Sequence, residues 1–549
     1  MNDKARQEHQ EREHFFSAAK VVAGLTLVSR IFGLFRDIGV TSLGANRYTD
    51  AYGLAFQIPN LFRRLFGEGA LSSAFVPVFT ETSEKGGFEK ASRLLANAMA
   101  LLAVFLVVVM FVVEVGFVIA AVLPGPDDRK LLMTLATIMF PYMVTVCLLA
   151  LGSAALNCRG HFAFPAAAPI IFNVVGIIAA WWIAPMLKNN LKGQLVIVAF
   201  SVIAAGIIQF IAVLWLLRRS GFSLGLRLTP VEPGIKQIVK LLVPILLGLG
   251  FLQISELLQT IISWNLTATA AAPDINMFGW VLHRPLTPGV ITRVNAARAL
   301  YQFPMGVLAI SLGVAVFPLL TRYAARNDIV NLRDSINRAL RLSLMEGIAT
   351  GVGLYILAEP IVKVIYARRN FSPADAAQAA FVLQMYVLGM WSYCSYQILA
   401  RSFYSLKDTM TPLKVSCVLA GVNLLMLVTM VWIPGLGAGA FGLSTAITFT
   451  INSGVLVYLL RKRLGLFGGR KVFASVVRGV IASAVMAAVV YLLRWQMKDV
   501  ANWIVVATCV PAGGIVFLGM ARLLGAAELA EIRGEILTAE TAKNAEETE

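Results

Sequence analysis

Long apolar runs separated by short polar stretches fill almost the whole chain. A membrane crossing needs about 20 apolar residues. On that measure the pattern predicts fourteen helices, with approximate limits 17–41, 50–80, 94–123, 131–157, 162–187, 194–217, 236–264, 288–319, 336–358, 375–404, 412–433, 439–460, 473–493 and 501–523. Runs this long exclude a porin-type barrel, whose strands are about ten residues and alternate in polarity. The longest polar stretches, 218–235, 265–287 and 320–335, are too short to bury a soluble core. The fold class expected is an all-α polytopic membrane protein.

The apolar pattern also repeats. Arg63 precedes 69-GALSSAFVPVFTE, and Arg298 precedes 306-GVLAISLGVAVFPLLTR. Likewise 156-LNCRGHFAFP and 404-YSLKDTMTP each close a helix with a short basic turn and a proline, Pro165 and Pro412. The near-equal separations predict two six-helix lobes in parallel pseudo-repeat, 17–217 and 236–460, joined by a linker at 218–235. Two further helices occupy 473–523, and polar tails lie at 1–16 and 524–549. Substrate is then expected between the lobes near the bilayer midplane. The first tail, MNDKARQEHQEREHFF, lacks an apolar core with a cleavage site and does not read as a signal peptide.

Composition strengthens the membrane reading: 58% of residues are hydrophobic, 14% are charged, and mean hydropathy is +0.76. The net charge of +17 does not require nucleic acid. Most loop lysines and arginines fall on the side of the N-terminus and the even-numbered loops, which places both termini in the cytoplasm by the positive-inside rule. The five cysteines, Cys147, Cys158, Cys394, Cys417 and Cys509, lie in or beside spans without a CxxC and read as packing residues. The four histidines form no HExxH or His/Cys cluster, so no metal site is expected. No phosphate-binding loop or nucleophile elbow is present, so no enzyme is expected. No resident cofactor is expected either; transport would draw on an ion gradient, the membrane potential or the substrate's own gradient.

Charges inside the spans carry the candidate chemistry. Arg30, Arg36, Asp37, Arg63, Arg64 and Glu68 lie in the first two spans, with Glu114, Glu256, Arg293, Arg298 and Glu346 elsewhere. A charge at the bilayer centre costs about 2.5–3.5 kcal/mol on insertion scales, so such groups face a protein interior or a watery cavity. Arg30 and Arg36 are substrate contacts or members of internal ion pairs, with Asp37 a neutralising neighbour. Pro59 kinks the second span. Arg64 and Glu68 have the spacing of a same-face ion pair, which would leave Arg63 to act on a ligand. Glu114, Glu256 and Glu346 are each a proton or sodium site or an interhelical hydrogen-bond residue, and Asn173 and Asn423 read as interhelical hydrogen-bond residues. An excess of guanidinium over carboxylate favours an anion, and arginine's fork matches phosphate oxygens. A phosphate or diphosphate is the expected substrate group.

The segments 29-SRIFGLFRD, 49-TDAYGLAFQIPNLFRRLFGEGALSSAFVPVF, 156-LNCRGHFAFPAAAPIIFN, 301-YQFPMGVLAISLG and 403-FYSLKDTMTP resemble the MurJ (MviN) family of bacterial lipid II flippases. That family belongs to the multidrug/oligosaccharidyl-lipid/polysaccharide exporter superfamily. The resemblance implies an inner-membrane transporter of peptidoglycan biosynthesis. Its two lobes would surround a cationic cavity, and helices 13 and 14 would form a groove for the lipid tail. The implied partners are lipid II, membrane lipids and the cell-wall synthesis machinery. Lipid II is the undecaprenyl-diphosphate-linked peptidoglycan precursor, and the implied movement is from the cytoplasmic to the periplasmic leaflet by alternating access.

Residue by residue, the family's functional positions fall on Arg30, Arg36, Asp50, Asn60, Arg63, Arg64 and Glu68. The family's Ala-Asp-Arg of the eighth helix is replaced by Ala297-Arg298-Ala299. Arg298 or Arg293 would then supply that charge. The stretch 265–290 reads as a long periplasmic loop. Rival readings are a flippase for another polyprenyl-linked oligosaccharide, a multidrug or cation antiporter, which calls for an acidic cavity, and a cell-wall scaffold or polymerase without transport.

Overall fold

The computed structural model describes residues 3–225, 228, 231–270, 272–277, 279–466, 468–526 and 528, without the side chains of 3–20, 23, 67–70, 247, 277 and 280. The chain forms two compact units, residues 1–292 with 369–371, and residues 293–368 with 372–549.

The first unit begins with α1 (Asp3–Thr41), which runs through most of the expected N-terminal tail as well as the first span. Asn46 and Thr49 then form a reciprocal capping box that starts α2 (Arg47–Phe62). Pro59 lies inside the last turn of α2, and the chain winds on as a π-helix over Arg63–Ala70. Proline lacks the N–H that would bond the carbonyl of residue 55, and the Arg63 N–H still reaches the Pro59 and Asn60 carbonyls where the winding widens. α3 (Leu71–Val122) contains the rest of the second expected span and all but the last residue of the third, with a break in helical geometry at Gly87 (φ +78°). α4 (Asp127–Met139), α5 (Tyr142–Cys158), α6 (Ala163–Ile178) and α7 (Leu191–Arg219) follow.

Leu71, Phe75 and Phe79 of α3 pack with Leu148 and Leu151 of α5 and Val213 and Leu217 of α7 in the core of this unit. α8 (Pro233–Leu266) packs on α2, the π-helix and α3. The expected lobe boundary at 218–235 therefore falls inside the first unit, because Ile235, Ile238 and Leu242 add to the same apolar cluster. The expected loop at 265–290 contains an antiparallel hairpin, β1 (Asp274–Met277) on β2 (Trp280–His283), with Asp274 opposite His283.

α9 (Val290–Val307) leads into the second unit. That unit holds α10 (Ala309–Ala325), α11 (Ile329–Tyr366), α12 (Pro373–Val387), α13 (Met390–Ser405), α14 (Met410–Met430) and α15 (Gly439–Leu464). α16 (Gly469–Gln496) and α17 (Asn502–Leu523) complete it. Leu320, Ile336, Leu340, Leu399, Phe403, Leu456 and Leu460 join α10, α11, α13 and α15. α16 and α17 close on α11 through Leu357, Met486, Val490, Val505 and Cys509.

Among the described residues ten helices are long and apolar enough to cross a membrane, or eleven if Pro233–Leu246 and Gly248–Leu266, bent by 44°, count as one broken span. All fourteen expected runs are helical. The count differs because Arg47–Val122 counts once although its geometry breaks at Gly87, because α1 is not among the counted spans, and because the tenth expected run is divided between α12 and α13.

Candidate functional site

The π-helix carries two of the expected arginines. Arg63 Nε donates to Asn60 Oδ1, one turn back, at 2.7 Å. Arg64 Nη1 donates to Gln253 Oε1 at 3.3 Å and forms an ion pair with Glu256, both on α8. Glu256, isolated in the sequence, is thus the partner of a charge 192 residues away. The expected partner Glu68 has a side chain outside the described residues.

Arg36 is held where α1 meets α6. Its Nη2 and Nε donate to Asp37 Oδ1 at 2.7 and 3.2 Å, and its Nη1 donates to Asn173 Oδ1 at 3.1 Å. Asn173 returns to α1 by donating Nδ2 to the Ser29 carbonyl at 2.9 Å. The guanidinium lies 5.1 Å from the Phe172 ring centroid, in cation–π range. Arg30, on the same helix, is exposed and has no ion-pair partner among the described residues.

Asp50 does something different from its neighbours. It is fully buried (0% exposed) and accepts hydrogen bonds from Gly289 N at 2.7 Å, Thr292 N at 3.0 Å and Thr292 Oγ1 at 3.2 Å. These donors surround the first turn of α9, so Asp50 caps that helix from α2, where a carboxylate meets both orphan amides and the positive end of the helix dipole. Gly289 makes the approach possible: its φ is +89°, and a Cβ there would lie 2.3 Å from the Ala45 carbonyl oxygen.

In the second unit the two arginine candidates part company. Arg293 is 3% exposed and paired with Asp375 at 3.0 Å, while Asp375 also closes the capping box of Ser372 at the start of α12. That arrangement ties α9 to the start of α12. Arg298 is half-buried and reaches Tyr386 Oη at 3.4 Å, beside a stack of Tyr301, Tyr386 and Tyr393. The carboxylate oxygens of Glu114, and one of Glu346, are buried without a hydrogen-bond partner among the described residues.

A lipid II flippase MurJ family model matches residues 40–510. The chain belongs to the lipid II flippase MurJ family. A probable lipid II flippase MurJ of Vibrio cholerae is 29% identical over 542 residues, covering 95% of this chain and 97% of that one. A lipid II flippase MurJ of Burkholderia cenocepacia is 30% identical over 462 residues, covering 82% and 84%. A solved lipid II flippase MurJ in an inward closed conformation superposes with a TM-score of 0.74 at 22% identity, covering 91% of this chain and 98% of that one. A multidrug resistance MATE family transporter in an inward-facing conformation gives 0.65 at 13% identity, covering 82% and 99%, which is a likeness of fold. The chain is therefore a multi-pass membrane protein of a transporter family, not an enzyme.

Three charged groups of this MurJ-family chain escape sequence reasoning. Arg401 stands near the end of the tenth expected span, where it looks like any flanking cation. Arg341 of α11 is 8% exposed and pairs at 2.9 Å with Glu528, which is 2% exposed and lies beyond α17. Glu528 belongs to a stretch that reads as a solvated tail, and nothing in its local sequence announces a buried partner.

Proposed function

We propose that this chain moves lipid II from the cytoplasmic to the periplasmic leaflet of the bacterial inner membrane by alternating access, with both termini in the cytoplasm. In this reading the arginines of the first unit hold the diphosphate while the polyprenyl tail stays in lipid along helices α16 and α17. The observation that carries it is Arg30. A guanidinium exposed along an apolar helix, without a carboxylate partner among the described residues, is stable only beside water or an anionic ligand. Arg36, braced by Asp37 and Asn173, and Arg63, braced by Asn60, supply further donors in fixed orientation. Charge-assisted, bidentate bonding to phosphate oxygens suits such donors. Binding drives the conformational cycle only through different affinities for its two states.

The test is outer-leaflet exposure of lipid II in cells depleted of their own flippase and carrying this chain or its Arg30→Ala form at matched expression. Exposure is expected with the wild type and not with the variant. A correctly inserted wild type that restores nothing would redirect the reading to another polyprenyl-linked oligosaccharide. Full restoration by Arg30→Ala would remove Arg30 from the transport site.

A further inference from the structure

Arg401 lies on α13, one turn before the helix ends at Ser405. An arginine there that merely escaped the bilayer would reach onward, past the helix end, to the polar turn. Arg401 instead keeps the ordinary lean of a helical side chain toward its own N-terminus. Its Nη1 donates to the Gln397 carbonyl at 3.0 Å and to Gln397 Oε1 at 3.3 Å, one turn back toward the middle of the helix. The guanidinium also lies against the backbone of α10 at Gly313, where a Cβ would come within 2.2 Å of Nη1. Gly313 is buried, and only the absence of a side chain there leaves room for the charge.

Both hydrogen bonds use Nη1, and no carboxylate pairs with Arg401 among the described residues. The Nε and Nη2 edge has no partner among these residues and is not sealed from solvent. That edge is the part of a guanidinium that takes an oxyanion bidentately. Gln397, Arg401 and Tyr404 follow at i, i+4 and i+7, so the charge sits in a polar stripe on one helix face. The opposite face of α13 is apolar, with Leu399 and Phe403 in the core against Leu456 and Leu460.

We propose that Arg401, braced by Gln397 and seated on Gly313, is an anion-binding residue of the second unit that takes a phosphate of the polyprenyl diphosphate substrate. This assignment rests on the flippase reading above. An ordinary anionic phospholipid offers the same phosphate chemistry, so the test separates the two.

The full chain in phosphatidylcholine nanodiscs is titrated with undecaprenyl diphosphate, with undecaprenol as the tail-only reference and phosphatidylglycerol as the competing phosphate. Arg401→Gln should weaken undecaprenyl diphosphate binding by about 10- to 100-fold and leave undecaprenol unchanged, the range expected for a charge-assisted contact. Arg401→Lys, which keeps the charge but not the fork, should fall between. Gly313→Ala should weaken binding with the charge retained. Size-exclusion profiles and melting temperatures matching wild type for Arg401→Lys separate loss of the contact from loss of the fold. Equal affinity of wild type and Arg401→Gln overturns the inference while the flippase reading stands. Loss of phosphatidylglycerol binding alone overturns it in favour of a phospholipid site. A wild type that prefers undecaprenol overturns both readings.

Discussion

Replacing Asp50 by alanine separates a structural role from a substrate role at a position where the family resemblance implies function. The carboxylate receives two backbone N–H groups and one hydroxyl at the start of α9, all within 3.2 Å. A hydrogen bond to a charged group contributes about 1.5–3 kcal/mol, and losing a helix N-cap costs about 0.5–2 kcal/mol. These terms overlap, so about 3 kcal/mol is expected for local opening of the first turn of α9 in Asp50→Ala. At about 1.4 kcal/mol per factor of ten, amide hydrogen exchange in the peptide spanning 286–295 should quicken roughly 100-fold. Asp50→Asn keeps one acceptor oxygen and should give about a tenfold change, near 1.4 kcal/mol. Exchange is measured by mass spectrometry on protein in nanodiscs, with peptides from α5 as the internal reference. The reasoning is refuted if Asp50→Ala abolishes transport while exchange at 286–295 stays at the wild-type rate, because the carboxylate would then act on the substrate.

Two further outcomes follow from buried and capping charges. Glu528→Ala removes the buried carboxylate that pairs with Arg341 and should destabilise the second unit by about 3–5 kcal/mol, whereas Arg341→Met with Glu528→Leu should recover most of that loss; an unchanged melting temperature in Glu528→Ala alone would show the pair is idle. Asp328 caps α11 by accepting from Asn331 N and Nδ2 at 3.1 and 2.6 Å, and the Asn331 side chain holds its carboxyl below the usual carboxylate value. A folded-state value below the unfolded one means the cap is fully present above the unfolded value and lost as pH falls through the folded one. Exchange at residues 329–332, corrected for intrinsic rates, should therefore rise on acidification in wild type and not in Asp328→Asn; parallel profiles would rule the cap out.

Helix placement was legible because a bilayer crossing imposes a length and an apolar composition that few other structures share. The sequence predicts a kink at Pro59; in the structure α2 runs through that residue to Phe62, and the break in helical geometry falls at Gly87. Partners distant in sequence were not legible. Glu256 looked isolated because its arginine lies 192 residues earlier. The cap that Asp50 makes on α9 was not legible, because its donors include backbone amides of Gly289 and Thr292, which leave no side-chain signature. The assignment of α8 to the first compact unit was not legible either, because the basic linker 218–235 reports only exposure of the connection, whereas the apolar face of α8 decides which unit that helix packs with.

These pairings bear on which arginines govern anion binding. From sequence, Asp37 is the expected neighbour of Arg36 and Glu68 the expected partner of Arg64, which leaves Arg30 and Arg63 to act. In the structure Arg64 is neutralised by Glu256 and Arg36 by Asp37, so their net field at a ligand is smaller than four guanidinium groups would give. Arg30 keeps its charge without such a partner among the described residues. Removing Arg64 would also strand Glu256, adding a repulsive carboxylate to the site, so a loss of transport in Arg64→Ala reports two changes at once. Pairing Arg64→Gln with Glu256→Gln keeps net charge constant and separates them. Transport retained in that double variant, and lost in Arg30→Ala, would assign diphosphate binding to Arg30 and bracing of α2 against α8 to the Arg64–Glu256 pair.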